Sequence, residues 1–144
     1  MNTTTKPLNQ NRVEKEFVPY ELALKMKQLG FDEPCFGYWY TEQEEYKKID
    51  IQLATIDFLE GEEDYILALT WQQAFRWFRE KYNIHSFIIP LIDEVGFVYK
   101  YQARVHTKES AVKIIGEFDT YEKAELGCLE KLIEIVEQIK VSKI

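Results

Sequence analysis

Cysteine, glycine and histidine are scarce in this chain of 144 residues, and each scarcity excludes a kind of site. The two cysteines, Cys35 and Cys128, lie far apart without a neighbouring histidine, which excludes a disulfide framework and the short ligand spacing of a zinc site. The six glycines are scattered, so no glycine-rich loop is present to hold a phosphate. We therefore expect a protein of the reducing cytoplasm, with no cofactor and no metal.

Long apolar runs are also missing from the sequence. No stretch approaches the length of a membrane span, and the polar start MNTTTKPLNQNRVEK lacks the apolar core of a signal peptide. Residues 1–15 instead predict a flexible polar tail, followed by a single domain over residues 16–144. With 46% apolar and 30% charged residues, the chain has a globular composition and is long enough to bury its own core.

The net charge of −7 is unevenly distributed along the chain. Between Asp32 and Asp64 there are 11 acidic residues and only two lysines, so this segment alone carries a charge of −9. Because an acidic protein repels phosphate backbones, we expect no DNA binding, and RNA contact is only weakly supported. The same charge favours a basic protein as the partner, and the sequence indicates no membrane partner.

Hydrophobic periodicity predicts about three helices, at residues 19–29, from Trp71 to the stop at Asn83, and from Asp119 or Thr120 to about residue 140. Strands are expected at residues 35–40, around Ile49 to Leu53, in a hairpin whose arms flank DEVG, and at residues 111–118. This order implies an α+β fold with one antiparallel sheet of about four to five strands. The helices are expected to pack mainly on one face of that sheet.

The stretch TWQQAFRWFREKYNI, residues 70–84, is unusually aromatic for a single helix. Thr70 and Gln73 match a capping box at its start. Helical spacing predicts a buried stripe made of Trp71, Ala74, Phe75, Phe78 and Tyr82. Trp77 falls about a third of a turn from this stripe, where it is expected to form a small basic and aromatic surface with Arg76, Arg79 and Lys81. This surface has three interpretations: its side chains cover the edge of the core, they contact another protein, or they stack on the bases of a nucleic acid.

A second concentration of aromatic residues, CFGYWYTEQEEYKK, lies inside the acidic segment and is followed by EGEED. A strand buries only alternate side chains, so some of these rings are expected to be exposed beside carboxylates. Exposed rings rimmed by acids favour docking onto a basic protein surface, although a covered sheet face with a solubilising loop fits equally well. The predicted interaction residues are Tyr38, Trp39, Tyr40, Glu42, Glu44, Glu45, Glu62, Glu63, Asp64, Arg76 and Trp77.

The sequence contains no catalytic motif, and we predict that the protein is not an enzyme. His85 and His106 lack the spacing of a ligand pair, and Cys128 falls on the apolar stripe of the last helix, where a thiol is inert. Two alternatives stay open. One is an accessory enzyme or nuclease that uses the loop carboxylates with Mg²⁺. The other is a small-ligand module with an aromatic pocket built from Tyr38, Tyr40 and Tyr99.

At TWQQAFRWFREKYNI and YEKAELGCLEKLIEIV the sequence resembles a group of short, mostly uncharacterised proteins carried by phages and prophages of Bacteroidetes-type bacteria. The resemblance covers about residues 14–140 and brings no catalytic residues with it. It implies a mobile-element origin and action on host proteins in the bacterial cytoplasm. By the same resemblance the chain is similar to anti-CRISPR inhibitors, here of a type VI, RNA-guided effector. Such an effector must present basic grooves to its RNA, which is compatible with the acidic segment.

Overall fold

The computed structural model describes residues 13–42, 46–109 and 112–142, and the chain divides into two compact units, residues 1–71 (unit 1) and 72–144 (unit 2). The predicted α+β class is confirmed, but the single sheet is wrong, because each unit has its own three-stranded antiparallel sheet. Each sheet is built from strands that pair within one unit. The expected tail falls mostly on residues 1–12, outside the described residues, and the single domain over 16–144 stays a prediction.

The two units differ in charge. Unit 1 contains 14 acidic and 7 basic residues, whereas unit 2 contains 11 of each. The whole net charge of −7 therefore belongs to unit 1. Among the residues described, no helix is long and apolar enough to span a membrane.

Unit 1 begins with helix α1, Tyr20–Gln28, which buries Leu22, Ala23 and Met26 and confirms the first predicted helix. Its end is a Schellman motif, since the Phe31 amide donates to the Met26 carbonyl and the Gly30 amide donates to Lys27, both at 3.0 Å. Gly30 has the left-handed φ of 104° that this motif requires.

The sheet of unit 1 has the order β2-β1-β3, from strands β1 (Tyr38–Glu42), β2 (Tyr46–Asp50) and β3 (Ile66–Leu67). Trp39 lies at its centre, paired with Ile49 on one side and Ile66 on the other. The predicted strand at 35–40 starts later than expected, because Cys35 forms only an isolated bridge with Ala54. The second strand ends before Ile51 and Leu53, which are exposed.

Unit 2 contains most of helix α2, Trp71–Tyr82, which starts where predicted and ends at Asn83 with its left-handed φ of 55°. The buried stripe differs from the expected one and consists of Gln73, Ala74, Trp77 and Phe78. Trp77 is only 3% exposed, so the prediction that it belongs to a surface is wrong. Its ring packs edge-on against two other rings of the same helix, Phe78 at 5.1 Å and Tyr82 at 5.5 Å.

The sheet of unit 2 has the order β4-β5-β6, from strands β4 (His85–Ile92), β5 (Val98–His106) and β6 (Lys113–Phe118). The expected hairpin is confirmed, and Asp93 closes its turn by accepting the backbone amides of Val95, Gly96 and Phe97 at 2.9–3.0 Å. These bonds, that of Phe97 above all, lower the pKa of the Asp93 carboxyl. Pro90 lies in β4, an edge strand, as its missing amide hydrogen demands.

Helix α3, Tyr121–Ser142, covers one face of this sheet, and Thr120 caps it by accepting the Lys123 amide at 3.1 Å. The apolar stripe expected on this helix was Tyr121, Ala124, Cys128, Leu129, Leu132, Ile135, Val136 and Ile139. Of these, Ala124, Cys128, Leu129, Leu132 and Val136 are buried as expected, whereas Tyr121 is exposed, Ile135 and Ile139 are half-buried, and Ile133 is buried in addition. The first residue of α3, Tyr121, contacts Tyr101 at 5.7 Å between ring centroids. Alternation along the second arm of the hairpin predicts that Phe97 and Tyr99 share one face with Tyr101, Ala103 and Val105, and that one face of this arm is buried. Phe97 and Tyr99 lie on the hairpin beyond the start of α3 and are 69% and 56% exposed.

Gly127 of α3 packs closely against the ring of Phe118 in β6. A Cβ atom on Gly127 would lie 2.5 and 2.8 Å from two ring carbons. Gly127→Ala should therefore lower the free energy of unfolding by about 1 kcal/mol or more, because overpacking outweighs the helix propensity gained, itself about 1 kcal/mol. Denaturant unfolding of purified variants measures this change.

The matched control is Glu130→Ala, an exposed change on the same helix, which should leave stability nearly unchanged. Phe118→Leu, added to Gly127→Ala, should recover part of the loss by making room for the new methyl group. A Gly127→Ala variant more stable than the wild type would contradict the packing described.

Candidate functional site

A cavity of about 430 Å³ lies in unit 1, between α1, Phe31 and the segment 56–67. Its floor is apolar and includes Phe31, Leu59 and Ile66, each at most 7% exposed. Its rim is acidic, with a single lysine, Lys27, from α1. The acidic rim residues are Asp57, Glu60, Glu62 and Glu63. The cavity therefore combines an apolar interior with a mouth of strongly negative charge.

The acidic rim is carried by a compact series of turns from Thr55 to Tyr65. The Thr55 hydroxyl accepts the Phe58 amide at 3.1 Å, and Gly61 supplies a φ of 88° for the chain reversal. Leu59 anchors the turns in the core at 7% exposure, so the charged residues on either side of it face solvent. The sequence DFLEGEED thus places acids around an apolar anchor.

Four aromatic side chains lie beside the cavity and form a cluster, which we call the aromatic cluster. Tyr38 is at its centre, with ring centroids 5.1 Å from Tyr65, 5.7 Å from Phe58 and 6.1 Å from Tyr40. Tyr65 belongs to both the cluster and the cavity wall, which makes the two features continuous. Phe58 is 51% exposed and presents an apolar ring at the surface next to the acidic rim.

Strand alternation explains why the tyrosines of the cluster share one face. Tyr38 and Tyr40 are two residues apart on β1 and face the same way, whereas Trp39 between them points to the opposite face. Trp39 is 7% exposed there, its indole N–H donates to the Val18 carbonyl at 3.2 Å, and its ring lies 6.5 Å from that of Tyr20. Trp39 is consequently part of the core.

The hydroxyl of Tyr38 donates a hydrogen bond of 2.8 Å to Asp50 across the β1–β2 pair. This hydrogen bond, with burial and the negative charge of Asp50 adding to it, raises the pKa of Tyr38 to about 12. Asp50 also accepts from Gln52 at 2.8 Å. The phenol is therefore held neutral and fixed in orientation over the physiological pH range.

The predicted interaction residues are only partly brought together. Glu62 and Glu63 lie on the cavity rim, Asp64 is exposed directly after them, and Tyr40 is half-buried in the aromatic cluster. Tyr38 and Trp39 were expected to include exposed rings, but both are buried. The remaining predicted residues of this surface lie outside the described side chains: Glu42, Glu44 and Glu45.

The other predicted residues belong to unit 2. Arg76 is exposed on α2, whereas Trp77 is buried, so the predicted basic and aromatic surface on that helix lacks its tryptophan. Tyr99, predicted to share a pocket with Tyr38 and Tyr40, also belongs to unit 2. The aromatic partners of Tyr38 and Tyr40 are instead Tyr65 and Phe58.

Sequence reasoning missed the residues that make the cavity. Leu59, Phe31 and Lys27 were not predicted as site residues, and Phe58 was not predicted to join the aromatic cluster. The available signal was the apolar pair Phe58–Leu59 inside an acidic run, which is unusual for a solvated loop. That pair indicates a folded turn with one residue anchored inward.

The chemistry available at other polar residues is limited. Within the described ranges, no group of three or more His, Cys, Asp or Glu residues is arranged to hold a metal ion. His85 and His106 form a cross-strand pair at the end of the β4–β5 ladder, and His85 lies 3.1 Å from the Asn83 side-chain oxygen. Burial raises the pKa of the Cys128 thiol to about 11, so this cysteine is a poor nucleophile.

Comparisons with protein-family models, with curated proteins and with solved structures found no match for this chain. The case for function therefore rests on the geometry of the cavity and the charge around it.

The Tyr38–Asp50 hydrogen bond predicts a specific pH dependence. Because the folded-state pKa of about 12 lies above the ordinary value of 10.0, this phenol contributes stability that is complete below pH ~10 and is lost as the pH rises through ~12. Tyr38→Phe should remove this contribution to the slope. The measurement is the free energy of unfolding as a function of pH for both proteins, so that tyrosines common to both cancel.

Tyr99→Phe is the control, since Tyr99 is 56% exposed and belongs to the other unit. It should retain the wild-type dependence on pH. Identical slopes for the wild type and Tyr38→Phe above pH ~10 would show that the hydrogen bond to Asp50 does not hold the phenol neutral.

Proposed function

We propose that this chain is a non-enzymatic protein-binding domain that docks a basic partner on unit 1. The observation that carries the proposal is the cavity of about 430 Å³, with its apolar floor and its rim of four carboxylates and one lysine. An arginine or lysine side chain has the matching character, because its aliphatic stem is apolar and its end is cationic. A protruding basic side chain would bury its stem against Leu59 and place its charge among the acids.

The aromatic cluster extends the docking surface beside the cavity. Phe58 is exposed and rests on Tyr38, whose orientation is fixed by Asp50. Aromatic rings held rigidly at a surface lose little conformational entropy on binding and are enriched among the residues that dominate interface energies. An arginine from the partner can also stack on such a ring.

The charge of unit 1 supports recognition at longer range. All of the net charge of −7 belongs to this unit, and the five acids from Asp57 to Asp64 are not interrupted by a base. A field of one sign accelerates encounter with a partner of the opposite sign and disfavours acidic proteins. This pattern supports a basic protein as the partner and is unfavourable for DNA.

We further propose that the partner is a protein that handles nucleic acid, because such proteins expose basic grooves. The proposed biological role is the one implied by the phage and prophage resemblance: inhibition of a host RNA-guided effector by occupying a groove built for RNA.

The test begins with affinity capture from a lysate of a Bacteroidetes-type host, with and without nuclease treatment. A basic nucleic-acid-handling protein retained after RNA and DNA are destroyed is the expected result. The affinity of this partner for the double variant Glu62→Lys/Glu63→Lys should be about tenfold or more lower than for the wild type at low salt, because two attractive rim charges become repulsive. The loss should shrink as ionic strength rises.

Glu130→Lys/Glu137→Lys is the matched control, since it makes the same change in net charge at exposed positions of α3 in unit 2. Equal losses for the two double variants would mean that only overall charge matters, and the acidic-rim proposal would then be wrong. Capture that disappears with nuclease would assign the contact to nucleic acid instead.

A further inference from the structure

Unit 2 contains a separate groove of about 400 Å³, lined by residues of α2, the start of β4 and the first turns of α3. It has no part in the proposed docking surface, whose residues all belong to unit 1. Its character is also opposite, because two arginines line it. Their presence beside aromatic rings indicates a ligand that is itself both anionic and planar.

The arginines are presented by one face of α2. Gln72, Phe75, Arg76 and Arg79 have the i, i+3, i+4, i+7 spacing that places side chains along a single stripe of a helix. This stripe differs from the buried one, so the helix packs with one face and lines the groove with another. Arg76 and Arg79 are exposed and about one turn apart, within reach of one small anion.

Aromatic rings supply the second half of the site. Phe87 from β4 is 44% exposed, and Tyr121 from α3 is 43% exposed, and both line the groove. A ring that stays partly exposed beside arginines can stack a planar heterocycle. Tyr121 is on the α3 side of the sheet, whereas Phe87, which follows Ser86 in β4, points to the opposite face. Ser86 also lines the groove, but its hydroxyl is hydrogen-bonded to the buried Cys128 thiol.

We propose that this groove binds a free nucleoside monophosphate, with the phosphate on Arg76 and Arg79 and the base against Tyr121. Guanidinium groups match phosphate oxygens with paired, charge-assisted hydrogen bonds. A volume of about 400 Å³ falls in the range of small-molecule sites and suits one nucleotide rather than a strand. The protein's net charge of −7 further disfavours a long phosphate backbone.

Glu125 on α3 also lines the groove, and its carboxylate limits how much negative charge the site accepts. This limit favours one phosphate over a polyphosphate chain. Unit 2 has equal numbers of acidic and basic residues, so the unit as a whole neither attracts nor repels a small anion. The two arginines therefore dominate the local charge balance at the groove.

In the experiment, the full chain is titrated separately with uridine monophosphate, uridine and inorganic phosphate. Binding is measured by calorimetry and by the changes in amide chemical shifts. Uridine monophosphate should bind about tenfold more tightly than either fragment, because only it engages both the arginines and Tyr121. The largest shifts should come from α2, β4 and the start of α3.

Arg76→Gln/Arg79→Gln should weaken the binding of uridine monophosphate about tenfold or more. Lys108→Gln/Lys140→Gln removes the same charge at exposed positions that do not line the groove, and it should change the affinity less than about twofold. Both arginines are exposed, so circular dichroism should show an unchanged fold.

Three results would overturn the assignment. The first is an absence of binding at millimolar nucleotide, and the second is an equal effect of the arginine and lysine double variants. The third is a preference for another anion, either a short oligoribonucleotide or an acidic peptide bound more tightly than uridine monophosphate.

Discussion

The burial of Trp39 is the constraint on which the architecture of unit 1 depends. Its indole occupies the centre of a three-stranded sheet, and its N–H must find an acceptor, which is the Val18 carbonyl just before α1. Because successive side chains of a strand alternate between the two faces of a sheet, fixing Trp39 on one face places Tyr38 and Tyr40 on the other face. The aromatic cluster, and with it the wall that Tyr65 shares with the cavity, follows from this one core residue.

The predictable parts of the chain are those whose local pattern agrees with their final environment. Helix α1, the hairpin, the Asn83 stop and the long helix α3 have capping residues and apolar periodicity that point the same way, and these are confirmed. Trp77 was misplaced because helical periodicity ranks the faces of a helix only approximately, and its ring contacts with Phe78 and Tyr82 lie within the same helix. The second sheet was missed because strand pairing depends on long-range partners.

The candidate site was predictable in its charge but not in its shape. Glu62 and Glu63 are recognisable from composition alone, since acids in a polar run stay solvated. The cavity that they surround depends on Leu59 entering the core and on α1 supplying Lys27 from far away in sequence. No local sequence pattern predicts that Leu59 and Lys27 line the same cavity. The division of charge between the units became meaningful only when their boundary at residues 71 and 72 was known.

The two cysteines have a practical consequence that follows from their burial. Cys35 belongs to unit 1 and Cys128 to unit 2, neither is in a disulfide, and neither side chain is more than 1% exposed. A thiol reagent can reach either of them only when the surrounding structure opens. Each unit therefore contains one buried cysteine whose rate of modification by a thiol reagent reports how often that unit opens. Mass spectrometry of peptides measures the two rates separately, and their comparison shows whether the units open together or independently.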